Sequence, residues 1–544
     1  MENLILYSET NKDELLFKLL SKTDEKKSKN FLSFLSYDTR SFLNSNFSTT
    51  AQIKNSLESI ETLKHTWKSL IIDAIHFLRI NDCRERSFLH NQKEIWDSTN
   101  KTTMSTDLAD KVALLNTYGI EELSNYFDQF TEFESVLYGS DKYYRDHVQH
   151  PIRVWLIGLN ILISEGKNFT VRAGRKSMEV CLGEFADPTW RTFGQERNKK
   201  CINVKECAIC KNNGKCNPKK EKEKPGLEPL QISTAEITAM WTIVALTHDL
   251  GYPLEKVERV NDQLEKMLGQ FGNIGFRRSG FSFLSQHDHL VSFLLSIVSS
   301  SLIKCEDEDH DEGSTQRHWK THVSPKYLSK FSKSWEMFDH GIVSSLILLR
   351  SLTYFLETDF SEQNYGNLED EDARQFAIRS EILHSIAAHT TQKVYHLSAN
   401  TLPFLLVLCD DLQEWGRPTM GDLRSGSLMG NARTAMLSKC VIDKEKSEIH
   451  CSVEYEKQEN YDDQKRHALR IFRSWHERLR PAVYDIKRNM TFTWEIKFDK
   501  SMPWTFVLDT TKQTDDSLQV KVTGPKKDGS SKVVVDNYNL YEDV

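Results

Sequence analysis

The sequence predicts a mostly α-helical protein that closes in a small α+β module, and three observations carry that prediction. Glycine (23) and proline (12) are roughly 4% and 2% of 544 residues, below the usual ~7% and ~5%, so turn-forming residues are too sparse for many tight connections. Apolar residues recur at three- and four-residue spacing over long stretches, as in Trp67, Leu70, Ile71, Ala74 and Leu78. Strand-like alternation enters only beyond Gly430. With 39% hydrophobic residues the chain can bury a large core, and 71 Lys plus Arg against 78 Asp plus Glu leave a net charge of −7, which speaks against a general polyanion binder.

Residues 1–135 read as an N-terminal helical region, with apolar periodicity from about 11 to 133; the mixed-sign run at 22–29 fits a solvated helix end. The first ten residues show no secretory leader. A long apolar helix is expected from about Tyr144 through Trp155 and Ile161, and a second over 232–250. Between them, 165–229 is polar and ends in a lysine-rich run before Pro225 and Gly226, the composition of an exposed insert. The most apolar stretches are 290–303 and 342–355. Serines dilute the first, Arg350 interrupts the second, and neither reaches about 18 clean residues, so both are expected to be buried helices and no membrane span is expected. The acidic run at 305–313 reads as a solvated loop. Helical periodicity resumes at 338–356, 374–389 and 403–412, and Gly416, Pro418, Gly421, Gly426 and Gly430 then mark a boundary. A central domain is therefore expected over 136–430. The module at 431–544 carries strands at 448–455, 491–498 and 518–523 around a helix at 462–484.

Chemistry concentrates at His248-Asp249-Leu250, where an apolar helix ends and the chain turns at Gly251 and Pro253. Imidazole nitrogen beside carboxylate oxygen suits divalent cations. A second pair, in His287-Asp288-His289, lacks a preceding apolar helix and ranks lower. His150 lies upstream, and His340, His389 and Asp410 downstream, each within hydrophobic sequence where an unsatisfied polar group is costly.

That order resembles the HD-domain metal-dependent phosphohydrolase superfamily over about 143–418. The resemblance implies a helical HD-domain core with inserts, holding one or two divalent ions of the Mn, Fe, Mg or Ni type. It implies His150, in His150-Pro151-Ile152-Arg153-Val154, as the first metal ligand, with His147 the competitor; His248 and Asp249 as the defining pair, Asp249 bridging where two ions are present; and Asp410 as the closing ligand, with Asp411 the runner-up. His340 and His389 resemble the additional histidines of binuclear members, although Thr390 stands where such members often have another His. Asp249, His340 and His389 are thus the expected catalytic residues. Arg145, Arg153 and Arg417 lie close in sequence to these ligands and are candidate phosphate clamps, or structural ion-pair partners. The implied activity is hydrolysis of a phosphoester of a nucleotide or related small molecule. A nuclease acting on single-stranded nucleic acid and a non-catalytic nucleotide-sensing scaffold are the alternatives, and self-association stays open.

Cys201, Cys207, Cys210 and Cys216 offer four thiolates within the expected insert, the central pair at the two-residue spacing of a zinc knuckle. A structural zinc that folds the insert is the preferred reading; an iron–sulfur cluster and free thiols are the alternatives. Cysteine usage this sparse points to a reducing, cytoplasmic setting.

Overall fold

The structure is a computed structural model that describes residues 31–80, 118–140, 146–164, 232–270, 288–308, 315–358, 368, 370–391, 401–413, 435–443, 448–455, 461–483, 491–498, 502–509, 520–525 and 532–535. Arg145, Arg417, Cys201, Cys207, Cys210, Cys216 and the whole of the expected insert lie outside these residues.

The helices α1 (Tyr37–Phe47), α2 (Thr50–Glu58) and α3 (Ile60–Ile80) open the fold. The Ser36 and Thr49 side chains accept the Thr39 and Gln52 amides at the starts of α1 and α2, the second within a capping box. The stripe of Trp67, Leu70, Ile71, Ala74 and Leu78 along α3 is buried, and Phe127 of α4 (Ile120–Ser140) stacks on Trp67 with ring centroids 4.2 Å apart.

Next come α5 (His150–Ser164) and α6 (Thr234–Thr247), buried nearly all round as their predominantly apolar sequences require. Two indoles lock them together. Trp155 donates to Thr242 Oγ1 and Trp241 donates to the Trp155 carbonyl, both at 2.9 Å, which is what permits two such rings in a dry core. The chain continues through α7 (Tyr252–Gly269), α8 (Asp288–Val298), the antiparallel pair β1 (Ser300–Glu308) and β2 (Thr315–Val323), then α9 (Pro325–Glu336), α10 (His340–Ser351), α11 (Thr353–Leu356), α12 (Asp370–Ala388) and α13 (Leu402–Leu412).

Four expectations are corrected here. The helix expected through 303 stops at Val298, and β1 begins at Ser300. Residues Cys305 to Glu308, read as loop, continue β1 in register with β2, Glu306 opposite Arg317; a charge run sets solubility, while pairing is decided by a strand elsewhere in the chain. The helix expected over 342–355 is interrupted at Leu352, whose extended backbone separates α10 from α11. The helix expected from Tyr144 begins at His150, after Asp146 accepts the amides of Val148, Gln149 and His150 and so caps it.

Beyond α13 lies a six-stranded sheet in the order β3 (Ala435–Asp443), β4 (Glu448–Tyr455), β5 (Thr491–Phe498), β6 (Trp504–Asp509), β7 (Val520–Pro525) and β8 (Lys532–Val535). All neighbours are antiparallel except β4 and β5, which run parallel because α14 (Tyr461–Val483) connects them. α14 lays Ala468, Phe472 and Trp475 on the sheet, with Phe472 stacked on Phe506 at 4.3 Å. β3, β6 and β8 were not expected. A register shift between Leu437 and Lys439 breaks the alternation of β3, and in β6 the alternation of buried Trp504, Phe506 and Leu508 is masked in the sequence by the apolar Val507 between them. Among the described residues no helix is long and apolar enough to cross a membrane.

Candidate metal centre

Four histidines stand at helix ends. His150 and His340 are the first residues of α5 and α10, while His248 and His389 follow the last residues of α6 and α12. In each, the ring nitrogen Nδ1 is engaged on the outer side. For the two past C-termini the partner is local: His248 Nδ1 lies 2.9 Å from the Ala245 carbonyl and His389 Nδ1 lies 2.6 Å from that of Ile386, carbonyls that a helix end otherwise leaves without an intrahelical partner. For the two at N-termini it comes from afar: His150 Nδ1 lies 2.5 Å from Gln413 Oε1, and His340 Nδ1 lies 2.5 Å from Glu255 Oε2. Acceptors at Nδ1 hold a proton there and turn each Nε2 inward, the nitrogen that a metal ion would take in place of a proton.

The turn carrying His248 and Asp249 is held from three sides. Trp67 on α3 donates to the Leu246 carbonyl at 2.7 Å, and Tyr126 on α4 donates to that of Leu250 at 2.8 Å. Ser344 on α10 donates to the His248 carbonyl at 2.6 Å and accepts the Gly251 amide at 2.7 Å. α10 comes so close that a Cβ on Gly251 would stand 2.4 Å from the His340 carbonyl, so only glycine fits. The same helix crowds the end of α12: Gly341 donates to Thr390 Oγ1 at 3.2 Å, and a Cβ on Gly341 would meet that oxygen at 2.6 Å. Thr390 therefore seats α10. The chain reaches His340 through Phe338, whose φ of +52° costs a non-glycine residue about 1–2 kcal/mol.

At the centre, the Asp249 carboxylate faces two ways. Its Oδ2 lies 3.3 Å from His248 Nε2 and 3.6 Å from His150 Nε2; its Oδ1 lies 3.4 Å from His340 Nε2 and 3.9 Å from His389 Nε2. Asp410 joins the Oδ2 side, with Oδ1 2.9 Å from His150 Nε2. Ligand atoms each about 2.1 Å from one ion stand roughly 3–4 Å from each other, which these separations match. Two sets, His150 with His248 and Asp410, and His248 with Asp249 and His389, hold ligand atoms within 4.8 Å of one another and could each hold a metal ion. The donor set fits a metal in a second way. Nε2 of His248 and of His389 are buried and make no regular hydrogen bond, their nearest acceptors being the Asp249 oxygens at 3.3 and 3.9 Å. Buried polar atoms left this way are costly unless a ligand is meant for them.

Burial by itself would raise the Asp249 pKa, but the charge of His248 and the imidazoles of His340 and His389 hold it well below the usual carboxylate range. Burial opposes ionisation of Asp410 too, and the Arg478 guanidinium with His150 wins there. Burial pulls His340 down, yet Asp249 and Glu255 push it up to about 9. His389, buried and with weaker compensation, is brought down to about 4 and stays a neutral donor near pH 7. The cluster thus holds both carboxylates ionised in a largely buried site.

The structure brings His150, His248, Asp249, His340, His389 and Asp410 to one place. His147 stacks on Tyr252, ring centroids 4.0 Å apart, and Asp411 bonds Arg478. Arg153 is buried on α5 with 5% exposure. Three contributors escaped the sequence reading: Glu255, Gln413 and Arg478, whose Nη2 lies 2.5 Å from Asp410 Oδ2. Only Glu255, seven residues after His248 and on the next helix, had a local signal that could have singled it out. A cavity of about 590 Å³ lined by Phe42, Glu61, His65, Lys68 and Phe127 lies among the N-terminal helices and shares no lining residue with this cluster. No family model, curated protein or solved structure matches the chain.

Proposed function

We propose that this chain is a metal-dependent phosphohydrolase of the HD type, cleaving a phosphoester of a nucleotide or related small molecule. The observation that supports it is the two-faced Asp249: each carboxylate oxygen stands opposite its own pair of imidazole nitrogens. His150, His248, Asp249 and Asp410 would hold one divalent ion, and Asp249, His340 and His389 a second. Cations held there supply the charge that neutralises phosphoryl oxygens and makes water nucleophilic near neutral pH. The chain's own residues prepare for this. Outer acceptors on Nδ1 fix every ring before any ligand arrives, so no reorientation is required at the moment of reaction. His340 and Asp410, with 17% and 15% of their side chains exposed against 0% for His150 and His248, form the accessible rim, and the substrate phosphate is expected to enter over them.

Full-length protein loaded with Mn²⁺ should hydrolyse nucleotide phosphoesters, and Asp249→Ala should abolish turnover while circular dichroism keeps the helical signal. Full activity in that variant would remove the assignment. Hydrolysis of single-stranded oligonucleotides in preference to nucleotides would move the substrate to nucleic acid.

A further inference from the structure

We infer that the C-terminal module completes the metal centre, with Arg478 of α14 acting as the positioning residue that decides which oxygen of Asp410 faces the ion. The inference rests on the two-ion reading and deepens it. Asp410 divides its carboxylate between two partners: Oδ1 lies 2.9 Å from His150 Nε2 and Oδ2 lies 2.5 Å from Arg478 Nη2. The other arm of the same guanidinium, Nη1, bonds Asp411 Oδ1. One planar fork thereby spans two consecutive carboxylates at the end of α13.

Such a fork fixes direction as well as distance, which a point charge cannot do. Two adjacent, largely buried carboxylates repel one another; a guanidinium between them neutralises that repulsion and leaves Asp410 Oδ1 turned to His150. Without it, Asp410 could swing Oδ1 away from the cluster to relieve the repulsion. Asp411 is 7% exposed and serves as the second anchor of the fork.

The fork is itself held from the far side. Three residues before Arg478, Trp475 packs toward Trp494 of β5 with ring centroids 6.4 Å apart, and one turn earlier Phe472 stacks on Phe506 of β6. A continuous path of packed groups therefore leads from the sheet through α14 to a ligand oxygen. Asp410 and Arg478 are 68 residues apart and belong to different layers of the fold.

The test is calorimetric titration of full-length protein with Mn²⁺, comparing wild type with Arg478→Met, Arg478→Lys and Asp411→Asn, each also followed by thermal unfolding. Arg478→Met should weaken one of the two Mn²⁺ sites by about 10- to 100-fold, the usual effect of losing a group that orients a ligand, and leave the other unchanged. Arg478→Lys should recover only part of the loss, because an ammonium cannot bond both carboxylates in one plane. Asp411→Asn should weaken the same site by a smaller factor. Wild-type Mn²⁺ affinity in Arg478→Met, with only a lower melting temperature, would make Arg478 a structural link and overturn the inference while the two-ion reading stands. No Mn²⁺ uptake by the wild type would instead overturn that reading. If Arg478→Met does not fold, the remaining two variants decide, and wild-type affinity in both overturns the inference.

Discussion

His248 and His389 are oriented by carbonyls three residues earlier in their own helices, whereas His150 and His340 are oriented by Gln413 and Glu255, side chains 263 and 85 residues away. The rings end up equivalent, each with Nε2 turned toward Asp249, but by different physics. At a helix C-terminus the last carbonyls lack amide partners, so a histidine placed there finds its tether without help from the rest of the fold. At a helix N-terminus the backbone offers donors only, and an imidazole that must donate from Nδ1 has to borrow an acceptor. Glu255 also accepts the His340 backbone amide at 3.2 Å, so one carboxylate caps α10 and orients its first side chain. The backbone-tethered pair should thus resist single side-chain changes, and the borrowed pair should be vulnerable to them.

The largest effect comes from removing a ring itself. His150→Gln and His389→Gln should each lower metal affinity and turnover by more than the ~100-fold upper range for outer contacts, one from each pair, measured by metal content and by initial rates. A much larger loss in one than in the other would break the equivalence of the two sides.

Next come the borrowed tethers. Glu255→Gln and Gln413→Leu should each weaken metal binding by about 10- to 100-fold although neither residue is a ligand. In metal-free Glu255→Gln, the His340 pKa should fall from about 9, because a partner that favours the charged ring has lost its charge; histidine NMR titration reads this directly. An unchanged His340 titration would show that Asp249 alone sets it.

The last effect is on stability rather than on metal binding. Ser344→Ala removes both bonds to the His248–Gly251 turn inside a fully buried contact, which should cost about 2 kcal/mol in denaturant unfolding. A neutral result would mean that the indole and phenol bonds from Trp67 and Tyr126 suffice to hold the turn.

The same contrast explains what was readable in the sequence. All six clustered residues could be picked out because each is a polar group within apolar helical sequence, where burial demands a partner. The choice of Asp410 over Asp411 was not a local matter: the two are adjacent, and an arginine in another module separates their roles. Gln413 and Arg478 were invisible for the same reason, their partners lying far along the chain. In the fold, α14 and β4 were legible because their apolar residues keep one period, while β1 was misread because an acidic segment takes its structure from pairing with β2. The cysteine set at Cys201, Cys207, Cys210 and Cys216 lies outside the described residues, so its zinc reading stands as an expectation.

The central claim is that Asp249 bridges two ions, and electron paramagnetic resonance of the Mn²⁺-loaded protein tests it most directly. Bridged ions lie about 3.5–4 Å apart, so the wild type should give the spectrum of an exchange-coupled pair, and Asp249→Asn should lose it. A wild-type spectrum of isolated Mn²⁺ alone, or a coupled pair that persists in Asp249→Asn, would contradict the account.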